Sequence, residues 1–310
     1  MKRERALIDR LKMSVSALFL ISITASIVAV VCHSFTNTAI KVHSDETIDP
    51  YPIGPTDDGA YLLGSYPQTV VSGTNCLNII AELDLITTTN PRGYLEYNGK
   101  EYQRVSATPA EGGYISRDGS TTFSSGSIYY FLVEPIRWRI LSSSSENMFL
   151  LTEDVLDVKQ FDSGTSRWGR NTLRAFLNDA FYNKAFTSID QGFIKTSNLI
   201  NGSKNYPENE DNTNDKVFTP HYWDFVNTGH GFTNSEADHN SRVAVASDYA
   251  KATGLRVYNN TTANYWTRSF YSIGIMSGIW YIGNAGGVKS GLNNHKNSDY
   301  GVRPAINISR

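Results

Sequence analysis

Hydrophobic positions follow three different spacings along this sequence. Residues 13–32 (MSVSALFLISITASIVAVVC) form an unbroken uncharged run, preceded by Lys2, Arg3, Arg5, Arg10 and Lys12. About 20 such residues, at about 1.5 Å rise each, cross a hydrocarbon core about 30 Å thick. Lys and Arg stay on the cytoplasmic side, so the C-terminal bulk is expected outside. The expected order is a cytoplasmic basic segment over 1–12, a transmembrane anchor or signal over 13–34, a stalk over 35–60 and an extracytoplasmic domain over 61–310. The run exceeds the roughly 7–15 residues of a secretory signal, which favours a retained single-pass anchor in the cell membrane over a cleaved signal and a secreted product. A lipid anchor at Cys32 is a third reading, opposed by Val30 and Val31 before it.

Beyond the stalk the spacing turns short and alternating. Residues 61–70 predict a strand ending near Pro67, and 78–85 a short helix. Residues 93–105 read as a hairpin around Asn98-Gly99, the strongest short-range hairpin cue. Residues 128–134, 136–142 and 147–155 predict a dense block of strands, with a bend at Pro135. Leu173, Phe176, Leu177, Ala180 and Phe181 then recur at helical spacing behind an Asn171 N-cap, and Ser188-Ile189-Asp190-Gln191 opens a second helix as a capping box, with Phe193 and Ile194 facing in. Residues 247–252 with Gly254 predict a last short helix. The tail reads as strands at 264–269, 278–282 and 301–308. The fold class expected is α+β, with antiparallel sheets, two main helices and long loops.

Composition adds constraints. Net charge is −2 over 310 residues, and the cations cluster only at the N-terminus, so nucleic acid is not an expected partner. Of the two cysteines, Cys32 falls in the apolar run and Cys76 stands alone outside, so no intradomain disulfide is available. The 18 tyrosines and 24 glycines, with much Asn and Ser, suit adaptable binding loops.

Several blocks, in order, resemble a known family. They are 63–68 (LGSYPQ), 134–141 (EPIRWRIL), 151–153 (LTE), 173–178 (LRAFLN), 181–186 (FYNKAF), 214–218 (NDKVF), 248–252 (DYAKA), 265–269 (YWTRS) and 301–305 (GVRPA). Across nearly all of residues 60–310 the chain resembles the bacterial domain-of-unknown-function family 6273. Two shorter motifs, Trp-x-Arg-Ser and Gly-x-Arg, are similar to the C-type-lectin-like fold of formylglycine-generating enzymes and hypervariable receptors, which implies a mixed lectin-like domain. The chain departs from its own family at Thr219-Pro220-His221-Tyr222 and at Thr267.

Candidate chemistry is sparse. Formylglycine-type oxidation needs two cysteines, and only Cys76 is available outside the membrane. His230 and His239, with Glu236 and Asp238 between them, give a local N/O cluster that fits no helical zinc motif. His221 and His295 complete the outer histidines apart from the stalk. No cofactor is expected: Glu208, Glu210, Asp211 and Asp215 leave calcium as an alternative, but the EF-hand glycine and terminal glutamate are missing and the segment reads as a charged exposed loop. No Gly-x-Ser-x-Gly elbow is present. Arg268 and Arg303 sit mid-strand beside aromatics and read as buried guanidinium groups fixing loops. Trp138, Trp266 and Trp280 read as core. Ligand contact is expected from Phe270, Tyr271, Asn293, Asn294, His295 and Tyr300, where aromatics combine with adaptable polar groups. The function expected is a membrane-anchored binding or adhesion module for a glycan, cell-wall component or protein; the alternative is a surface hydrolase with a loop His/Asp/Glu site.

Overall fold

The computed structural model describes residues 52–72, 77–204 and 210–310. The expected anchor over 13–34, most of the stalk, Cys76 and Glu208 lie outside the described residues. Among the described residues no helix is long and apolar enough to cross a membrane. The chain divides into two compact units. One contains the helix Leu77–Leu85, as the spacing there predicts. The described part of the other covers 52–71, 86–204 and 210–310 and is treated below.

This second unit is α+β, with mostly antiparallel sheets and few, short helices. The larger sheet is built on Ala60–Val70, Ile128–Ser143, Asn147–Thr152 and Ala305–Ser309, in that spatial order. Pairing starts earlier than the sequence suggests: Gly54–Pro55 already bonds to Leu62 and Tyr61, inside the expected stalk. Pro67 does not end its strand, because the register slips between Pro67 and Thr69 and absorbs the missing donor. Pro135 likewise sits inside one long strand rather than at a break. Asn98 and Gly99 both take positive φ, as a type I′ hairpin turn requires.

The expected helix after Asn171 forms in three pieces: Thr172–Phe176, a π turn over Leu177–Phe181, and Tyr182–Ala185. Asn171 caps it by accepting the Arg174 N–H at 2.6 Å. The π turn shifts the helical phase. Ala180 therefore faces solvent, while Leu173, Leu177, Phe181, Tyr182 and Ala185 are buried. In the next helix, Ser188–Phe193, Thr187 rather than Ser188 is the cap, paired with Asp190, and Phe193 is exposed rather than inward.

The smaller sheet runs Val288–Leu292, Met276–Ile282, Tyr265–Ile273, Gly301–Val302 and Asp157–Val158. Residues 301–308 do not form the single expected strand. Arg303-Pro304 interrupts it, so Gly301–Val302 pairs in the smaller sheet and Ala305–Ser309 in the larger. One hydrophobic cluster joins both sheets, with Trp138, Leu150 and Ile306 from the larger, Trp266 and Ile279 from the smaller, and Leu173 and Phe181 from the helical segment.

Candidate functional site

Residues 270–273, read from sequence as a loop, instead extend the strand Tyr265–Ile273. It pairs with Met276–Ile282 in a hairpin whose register sets Tyr271 opposite Gly278 and Ile273 opposite Met276. Side chains alternate along strands, so Tyr271, Ile273, Met276 and Trp280 share one face. Tyr271 meets Trp280 edge-on, with ring centroids 5.2 Å apart. Gly278 lies between them for a separate reason: a Cβ there would stand 1.7 Å from the Gly291 carbonyl oxygen of the next strand.

The aromatic strip continues onto the short helix Tyr222–Phe225. Tyr222 lies 5.0 Å from Trp280 and 5.1 Å from Trp223, centroid to centroid. Tyr222 is buried, whereas Trp223 is 51 % exposed. Such edge-to-face packing holds rings rigid at low entropic cost. Lys204 Nζ lies 4.8 Å from the Tyr222 ring centroid, and Glu236 accepts from both Lys204 and the Tyr222 hydroxyl. Burial alone would raise the Glu236 carboxyl, but the ammonium and the hydroxyl outweigh it and hold the group below its ordinary value. The Lys204 ammonium is raised, first by its bond to Glu236.

Beneath the strip lies a layer of buried polar groups. His221 caps the helix: its Nδ1 accepts the Trp223 N–H at 3.2 Å, and Asp224 Oδ2 accepts the His221 N–H at 2.7 Å. Tyr222 N–H donates to Ser269 Oγ at 2.7 Å, which ties this helix to the hairpin strand. With Nδ1 accepting, the neutral ring carries its proton on Nε2, which is buried and faces the Gly202 backbone. Burial, and then the Arg268 guanidinium, push His221 down to about 3. Arg268 donates to the Thr219 carbonyl at 3.1 Å and approaches Asp224 at 3.5 Å. Its own pKa is lowered by burial.

Arginines also fasten the loop that carries Glu236. Arg242 is fully buried and donates to the carbonyls of Gly286, Phe225, Thr233 and Ala237. Arg139 donates to those of Ser241, His230 and Gly231. Arg303 is buried and donates to the Thr152 carbonyl at 2.7 Å and the Tyr265 hydroxyl at 2.9 Å.

The residues singled out from sequence scatter. Tyr271 lies in the strip, and Phe270 turns to the opposite face, 3.9 Å beneath the Arg167 guanidinium. Asn293 is exposed and takes positive φ. Asn294 is buried, its amide bonded to both the N–H and the C=O of Ile279, which uses that amide inside the fold. His295 is buried as well, and Tyr300 stacks between Trp266 and Tyr281. Trp138 and Trp266 are buried, but Trp280 is only half-buried because it faces the strip. Sequence reasoning missed Trp223, Tyr222 and Lys204: the first two sit in a four-residue helix too short to show a period.

The carboxylate and imidazole candidates do not converge. His230 Nδ1 contacts the Asp224 carbonyl, His239 caps the turn Asn240–Arg242, and Asp238 faces Lys289. Asp215 pairs with Arg174 and the Trp168 indole, while Glu210 accepts the Gly169 N–H. Among the described residues no three His, Cys, Asp or Glu side chains are grouped to hold a metal ion.

Residues 145–310 match the family described as a domain of unknown function, DUF6273. The chain belongs to that family. No curated protein and no solved structure matches it.

Proposed function

We propose that the domain is a glycan-binding module whose ligand face is the strip of Trp223, Tyr222, Trp280 and Tyr271, with Glu236 and Lys204 at its edge. One observation carries the reading: linked aromatic rings, one of them half exposed, stand beside an ion pair whose Glu236 sits on a loop fastened by the buried Arg242. Sugar rings offer apolar C–H faces to aromatic planes and hydroxyls to charged partners, so this pairing of surfaces suits them. A rigid strip also loses little entropy when a ligand docks. The lectin-like arrangement suggested by the sequence belongs to the same proposal. So does the location: held by residues 13–34 on the outer side of a membrane, the strip would meet envelope or cell-surface saccharides.

The surface-hydrolase alternative draws less support, because His230, His239, Glu236 and Asp238 engage different partners. The test is a glycan array with the full chain, followed by calorimetry of the best hit with Trp223→Ala. Truncating an aromatic that contacts the ligand costs about 2 kcal/mol, or roughly 30-fold in affinity, with no fall in melting temperature expected at so exposed a site. A wild-type chain that binds no saccharide on the array, or a Trp223→Ala chain that binds undiminished, removes the reading. Saturable capture of a protein instead would favour protein adhesion.

A further inference from the structure

The hairpin that carries Tyr271 and Trp280 ends in a turn of unusual composition. Ile273 is 54 % exposed, Ile275 is 103 % exposed and Met276 is 49 % exposed. Gly274, at φ +58°, makes the turn that pushes Ile275 outward. Three large apolar side chains at one strand tip are costly in water, since apolar area kept from burial forfeits its transfer energy. We propose that this tip is a lipid-docking finger that dips into the surface of an anionic phospholipid bilayer.

Three observations select a bilayer over a protein groove. The tip is convex: Ile275 is as open as an isolated residue, a shape suited to a deformable lipid surface. The groove beside it, about 360 Å³, is lined by Ser166, Arg167, Ser272 and Ser277 among others and by no carboxylate. Hydroxyls with a guanidinium suit a phosphate headgroup, and an acidic lining would repel one. Tyr271 and Trp280 then follow on the same face, where interfacial aromatics settle at headgroup level.

The inference rests on the membrane-held placement proposed above and goes beyond the glycan reading. The experiment uses the full chain with Cys32 and Cys76 replaced by Ser. An environment-sensitive fluorophore is attached at Ile275→Cys or, as control, at Ser125→Cys, an exposed loop position. Vesicles are phosphatidylcholine with phosphatidylglycerol, and flotation reports separately whether the chain is held. The expected result is a blue-shifted signal at 275, quenched by brominated acyl chains, while the signal at 125 stays as in buffer. A second variant, Met276→Asp in the 275-labelled chain, should cut the quenching by about tenfold. If the chain floats and the 275 signal stays water-like, the finger is overturned while membrane attachment stands. If the chain does not float and the signal stays water-like, both fall. Loss of saccharide binding with quenching intact would remove the glycan reading alone.

Discussion

Replacing His221 with Asn separates two roles of one side chain. The ring accepts the Trp223 N–H and so caps the helix that presents Tyr222 and Trp223. An Asn oxygen can take the same bond, since Asn is among the best N-caps. What Asn lacks is the titration. In the fold, burial and the neighbouring Arg268 push His221 from 6.5 down to about 3; Asp224, the nearest carboxylate, is engaged by that same arginine and by the His221 backbone. In the unfolded chain His221 takes up a proton near its ordinary value. Between those two values the unfolded state binds more protons than the folded one, so stability falls as pH falls, and below about 3 the loss is complete. Each pH unit in the window costs about 1.4 kcal/mol, or roughly 5 kcal/mol across it. Urea unfolding of wild type and His221→Asn between pH 7.5 and 3.5 measures this directly. The comparison is of slopes, so a constant offset from imperfect capping does not matter. Wild type is expected to lose about one proton's worth of stability per unit more steeply than the variant below about pH 6. Two parallel curves, or an NMR titration of His221 near 6.5, would refute the argument.

Other substitutions test the arginine framework and the hairpin. Arg242→Met strands four carbonyls inside the fold and should cost about 3 kcal/mol or more in denaturant unfolding, because buried acceptors lose charge-assisted partners. Arg303→Ala should unfold the domain outright, seen as loss of near-ultraviolet dichroism at room temperature; an unchanged melting temperature would contradict the role assigned to its bonds with Thr152 and Tyr265. Gly278→Ala sets a methyl group against the Gly291 carbonyl and should cost about 3 kcal/mol, with faster amide exchange over 288–292 than in wild type.

The parts legible from sequence were those written by neighbours. Asn98-Gly99, the Asn171 cap and the Gly254 C-cap each announce themselves within a few residues, and each is found in place, although Ser247, expected inside its helix, is the N-cap instead. The blocks from 151–153 onward that suggested the family lie inside the matched region. The ligand face was not legible, because it is made across distance: Trp280 reaches Tyr222, and Lys204 reaches Glu236, only once the chain has folded. Asn294 misled for the same reason. An Asn in a polar run looks like an adaptable surface group until its amide is seen clasping the main chain of Ile279. The π turn at 177–181 likewise has no signature in apolar spacing, and it alone turned Ala180 outward.

The interruption at Arg303-Pro304 also bears on how the molecule is made. One stretch of nine residues stitches two sheets together, bonding back to partners about 150 residues upstream in each. Closing contacts so remote in sequence is slow. A chain stopped at residue 300 would have neither seam, and its half-built sheets would stay open to proteases. Such an architecture leaves both sheets unclosed until this one short stretch is in place.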